Sequence, residues 1–73
     1  MEQTVQINSE FITLGQLLKE IGVISTGGAA KWYLQDYPVL LNDIEETRRG
    51  KKLYPGDEVQ ISDVGVVKIE KGV

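Results

Sequence analysis

The sequence predicts an α+β domain with segregated elements: two packed N-terminal helices, then a small antiparallel sheet, with an added N-terminal strand. Three observations predict it. Leu14, Leu17, Leu18 and Ile21 form one apolar stripe at helical spacing. A second run of helical character, "STGGAAKWYLQDYP", follows it. Beyond that, apolar residues fall into short strand-like runs in "VLLN", "EVQI" and "VVKIE", separated by turn residues. The 73 residues make a single domain, 1–73, with no room for a second. A chain this short buries a limited core and has little stability to spare. An apolar fraction of 41% is still adequate for a globular rather than a disordered chain.

Each element has a local reason. "TVQI" alternates at Val5 and Ile7 and gives a short first strand, which "NSE" breaks. Thr13 is a good N-cap for the first helix. Gln16 is its capping-box partner, and Ile12 is placed to staple onto Leu17. Gly22 stands where a glycine ends a helix. In the second helix Ser25 or Thr26 is the cap, Ala30, Tyr33, Leu34 and Tyr37 form the apolar face, and Pro38 is the stop. Helical steps place Lys31 and Gln35 beside that face and turn Trp32 away from it. Gly27 and Gly28 in its first turn each cost about 1 kcal/mol relative to alanine, less near an end. Either something compensates, or the helix begins late. "VLLN" is a short strand and "NDIEE" a turn. "TRRGKKL" is irregular or edge-strand chain. "YPGD" puts Pro55 and Gly56 at the centre of a type II turn. "EVQI" carries Val59 and Ile61 on one side, and the last strand points Val67 and Ile69 inward.

Composition narrows the chemistry. The chain has no Cys and no His, so disulfides, thiol nucleophiles, the commonest general base and the usual zinc ligands are missing. Its carboxylates are scattered singly or sit in "NDIEE", with no sign of a shared pocket. The expectation is a non-catalytic binding module with no cofactor, no metal site and no small-molecule substrate. No apolar run approaches membrane-spanning length, and "MEQTVQINSE" is unlike a signal peptide, so the chain reads as soluble and cytoplasmic with no membrane partner. The charge balance is acidic, eight Lys+Arg against eleven Asp+Glu. Yet four of the eight cations fall in "RRGKK", Arg48 to Lys52.

From Thr13 to Val59 the sequence resembles the S-four RNA-binding domain, or alpha-L motif. "GVIST" matches the helix-turn-helix junction of that family, Ala30-Lys31 its second helix, "VLLND" its strand and turn, and "YPGDEV" its closing turn. The short length, the first strand and "RRGKK" further resemble stand-alone bacterial members of the YaaA type. The resemblance implies RNA binding, to ribosomal RNA or a ribosomal subunit, and a part in ribosome association or large-subunit assembly. The sequence departs from the family at Gly27 and Gly28, where arginines are usual, at Trp32 and Pro38, which are often basic, and at Asp43, where a turn glycine is usual.

The candidate RNA-binding residues are Ser25, Thr26, Gly27, Gly28, Lys31, Trp32, Arg48, Arg49, Lys51 and Lys52. Clustered cations neutralise phosphates and release counterions, and Arg adds a fork suited to phosphate oxygens. The resemblance brings "RRGKK" near the second helix, where Lys31 joins it. The plainer reading is a solvated loop that guards a sheet edge. The two glycines let a phosphate approach first-turn amides, or they make a flexible or close-packed turn. Ser25 and Thr26 touch the same phosphate, or simply cap. Trp32 and Tyr54 stack on unpaired bases, or cover the core edge. Asn42, Gly56 and Asp57 are turn builders. Glu45 and Glu46 form a solvated side that repels RNA. Two other functions fit less well: a beta-grasp sulfur carrier, whose Gly-Gly end is absent from "EKGV", and a protein–protein module whose basic loop meets an acidic partner.

Overall fold

Alternation in sequence becomes burial in space. The computed structural model describes residues 2–72. Its elements run β1 (Glu2–Ile7), β2 (Ile12–Thr13), α1 (Leu14–Glu20), α2 (Ala29–Asp36), β3 (Val39–Leu41), β4 (Ile44–Glu46), β5 (Lys52–Leu53), β6 (Glu58–Ile61) and β7 (Gly65–Lys71). Five strands form a sheet of order β1-β7-β6-β3-β4, and β2 pairs with β5 separately. Val39, Leu41, Val59, Ile61, Val67 and Ile69 are buried, while the alternate residues Leu40, Glu58, Gln60 and Glu70 are exposed. Leu14, Leu17 and Leu18 of α1 and Ala30 and Leu34 of α2 complete one core with the buried strand residues. The result is two layers, helices over one face of a sheet.

The first helix starts as its sequence dictates. The Thr13 hydroxyl accepts from the Gln16 amide at 3.2 Å, and the Gln16 side chain accepts from the Thr13 amide at 3.1 Å. Gly22, just past the helix end, takes φ +82°, a conformation that favours glycine. Asn42 and Asp43 join β3 to β4 with φ of 50° and 70°, the pattern of a two-residue type I′ hairpin. The Asn42 side chain accepts from the Glu58 amide at 3.0 Å and donates to Asp57 at 3.1 Å, which locks this turn to the "YPGD" turn. Gly56 takes φ +99° and the Asp57 amide donates to the Tyr54 carbonyl, as a type II turn requires.

Four expectations need correction. The sheet is mixed rather than antiparallel, because β1 runs parallel to β7. A parallel pair needs a long crossover, and everything between these two strands supplies it. "NDIEE" is not all turn: Asn42-Asp43 is the turn and the next three residues are β4, antiparallel to β3. The second helix begins at Ala29, with Gly28 as its N-cap and no side-chain cap, so neither Ser25 nor Thr26 caps it. The Ala29 and Ala30 amides turn back onto the Thr26 and Gly27 carbonyls instead, at 3.1 and 3.2 Å. Tyr37 is 48% exposed rather than core. It lies in the last residue before Pro38, where α2 has already ended, and stacks tilted on the half-buried Tyr33 at 5.2 Å.

Candidate nucleic-acid interface

The basic loop is held by its backbone against the first turn of α1. The Leu14 amide donates to the Lys51 carbonyl at 2.9 Å, and the Gly15 amide to the Arg49 carbonyl at 2.8 Å. With Gln16 donating to Thr13, the first three amides of α1 all have partners, so this helix start offers none to a ligand. The Lys51 amide donates to the Arg48 carbonyl at 3.1 Å, which folds the loop on itself. The pairing of Lys52 and Leu53 with Thr13 and Ile12 fixes its far end.

Gly15 explains how the loop meets α2. A Cβ at Gly15 would lie 3.3 Å from the Arg49 carbonyl oxygen, and 3.5 Å from both the Arg49 Cβ and the Ala30 Cβ. The basic loop and the start of α2 therefore converge over the same point of α1. Lys31 follows Ala30 at this junction and is exposed. Sequence reasoning passed over Gly15, although a glycine inside a helix, about 1 kcal/mol worse than alanine, is a signal of close approach.

The cations differ in their engagements. The Arg48 guanidinium donates to both carboxylate oxygens of Glu46, at 2.9 and 3.1 Å. Glu46 also accepts from the Thr47 and Arg48 amides, at 3.2 and 3.0 Å. These bonds hold its carboxyl well below the ordinary range, at about 2. The Glu46 side chain is 11% exposed and that of Arg48 is 72% exposed. Glu46 is thus not part of a solvated, RNA-repelling side. Its place opposite Val39 in the hairpin register turns it toward the covered side of the sheet, and Glu45 alone stays on the open side. The signal for this pair was an acid two residues before an arginine.

Lys52 lies over the Phe11 ring at 4.8 Å and Lys31 over the Trp32 ring at 5.5 Å, cation–π contacts that leave the ammonium groups able to meet an anion. Among the described residues, Lys31, Arg49, Lys51 and Lys52 form no ion pair with an acid. Trp32 is 63% exposed and turns away from the core, as its helical position predicts. Ser25, Thr26, Gly27 and Gly28 are exposed in the loop before α2. A Cβ on Gly27 or Gly28 would meet nothing within 4 Å, so the pair is open rather than close-packed. Among the described residues there is no cluster of His, Cys, Asp or Glu that could hold a metal ion, and no helix long and apolar enough to cross a membrane.

Comparison with known proteins converges on one family. A family model described as "S4 domain" matches residues 5–70. A protein of Bacillus subtilis (strain 168), named "Probable ribosome maturation protein RlbA", is 48% identical over 69 residues, covering 94% of this chain and 97% of the relative. No solved structure matches.

Proposed function

The chain belongs to the S4 domain family, and on that basis we propose that it binds structured RNA at the ribosome without catalysis, as a factor in ribosome maturation. The single observation that carries the site is the convergence of the basic loop and the start of α2 at Gly15. On this reading Lys31, next to Ala30, shares one surface with Arg48, Arg49, Lys51 and Lys52, and Glu46 engages Arg48. Phosphates of a folded RNA, ribosomal RNA in this reading, meet Arg49, Lys51 and Lys52 directly. Arg48 meets them through the guanidinium edge that Glu46 leaves open. Such contacts read the path of the backbone and not the bases. Gly27 and Gly28, uncovered beside Ser25 and Thr26, let a phosphate come close to the chain at the start of α2.

The double variant Arg49→Glu/Lys51→Glu tests the proposal. It leaves the Glu46–Arg48 pair intact, which Arg48→Glu would not. Titration of a labelled ribosomal RNA fragment at several salt concentrations is expected to give at least a tenfold loss of affinity. The slope of log K against log salt should fall by about two, one per lost phosphate contact. Unchanged affinity at low salt in a folded double variant defeats the proposal.

A further inference from the structure

Three of the loop cations also line a cleft that contains apolar side chains. Its volume is about 370 Å³, and Leu41, Ile44 and Tyr54 line it together with Arg48, Lys51 and Lys52. A second depression of about 420 Å³ shares Arg48, Lys51, Lys52 and Tyr54 with it. Ile44 is the anomaly. The hairpin register sets it opposite the buried Leu41, on the covered side of the sheet, yet Ile44 is 72% exposed. Nothing in the fold requires an isoleucine in water there. Tyr54 is 43% exposed and leans on Phe11, with ring centroids 5.9 Å apart. Its amide donates to Asp57 at 2.8 Å, which fixes its backbone. The two acids that line the cleft are engaged within the protein, Glu46 by Arg48 and Asp57 by Asn42 and the Tyr54 amide. The cleft therefore presents an aromatic and aliphatic wall and unopposed lysines.

The geometry points to a pocket for one unpaired nucleotide of the bound RNA, with its base against Tyr54 and Ile44 and its phosphate against Lys51 and Lys52. A base has apolar faces and a charged neighbour on its backbone, and this cleft pairs an apolar wall with cations. Only a nucleotide outside a helix exposes its face to such a wall. Stacking on an aromatic is tolerant of base identity, so the pocket selects an unpaired base rather than a particular one. This inference rests on the RNA-binding reading above and adds to it a preference for RNA with an extruded residue.

Methyl and aromatic NMR titrations test it, with two probes: the tetranucleotide of adenosine and its abasic ribose-phosphate analogue. The adenosine probe is expected to bind about tenfold more tightly and to shift the Ile44 and Leu41 methyls and the Tyr54 ring. Tyr54→Ala and, separately, Ile44→Ser should abolish the difference between the probes, and Tyr54→Phe should keep it. Ile44 is exposed, so its variant tests the pocket even if Tyr54→Ala loosens the packing on Phe11. Equal binding of the two probes, or a difference that survives Ile44→Ser, overturns the inference. A paired hairpin is titrated in parallel. If the hairpin binds through Arg49 and Lys51 while the probes do not differ, the pocket alone falls; if neither hairpin nor probe binds, both readings fall.

Discussion

The Glu46–Arg48 pair makes a sharp prediction about stability and pH. Replacing Glu46 by Gln keeps the shape of the side chain and removes its charge. The carboxyl titrates near 2 in the folded chain against 4.5 ordinarily. At about 1.4 kcal/mol per pKa unit that displacement corresponds to about 3 kcal/mol as an upper bound. Water reaches one partner freely, since the Arg48 side chain is 72% exposed, so screening reduces the value to about 1–2 kcal/mol. The sign follows from linkage. A depressed folded pKa gives stability that is fully present above the unfolded value, and it is lost as pH falls through the folded one. Glu46→Gln should therefore lower the melting temperature by roughly 5–15 °C at pH 7. The gap should narrow as pH falls from about 4.5 toward 2. Thermal unfolding of both proteins across this range measures it. An equal gap at pH 7 and near pH 2, or none at pH 7, refutes the assignment of the bond network to a charged Glu46.

Three further outcomes are expected. Leu17→Ala, at a fully buried position of α1, should cost about 2–5 kcal/mol in urea unfolding and leave the chain marginal or unfolded. Asp43→Gly should stabilise the fold by about 0.5–1 kcal/mol, because glycine takes the φ of 70° without the Cβ penalty; a destabilised variant would show that the Asp43 side chain has a role the turn does not need. Ribosome co-sedimentation should be lost after RNase treatment of the subunits, whereas persistence on protein-only cores would favour the acidic-partner reading of the basic loop.

What could be read from the sequence was what neighbours in the chain decide. The Thr13–Gln16 capping box, the φ of Gly22 and Gly56, and the inward sets at Val59, Ile61, Val67 and Ile69 each follow from a few adjacent residues. The parallel pairing of β1 with β7 leaves no local trace, because alternation is the same whichever way the partner runs. Gly27 and Gly28 left two readings open, a compensated first turn or a late helix start, and α2 starts late, at Ala29. β4 was hidden by its own polarity. Two of its three residues are glutamates, and only the Asn-Asp turn before it, with both φ positive, marks the hairpin. The basic cluster was visible as composition, whereas its meeting with α2 depends on a long-range approach that only Gly15 hints at.

The clustering of cations in an acidic chain now has a physical account. Arg48, Arg49, Lys51 and Lys52 repel one another, and a loop bearing them alone would spread apart. Three backbone bonds, Leu14 to Lys51, Gly15 to Arg49 and Lys51 to Arg48, oppose that spreading without engaging any side-chain charge. Glu46 opposes it with charge, but engages only Arg48. The loop is held by its carbonyls, and among the described residues Arg49, Lys51 and Lys52 keep no acid partner. Net charge governs the far field of the molecule, while a polyanion within a Debye length, roughly 8–10 Å, responds to the local cations. Raising salt should therefore weaken RNA binding steeply while lowering stability only by the part that the Glu46–Arg48 pair supplies, because the backbone bonds that hold the loop are not screened as its side chains are. A melting temperature that falls in step with affinity as salt rises would mean that the loop is held by its charges after all.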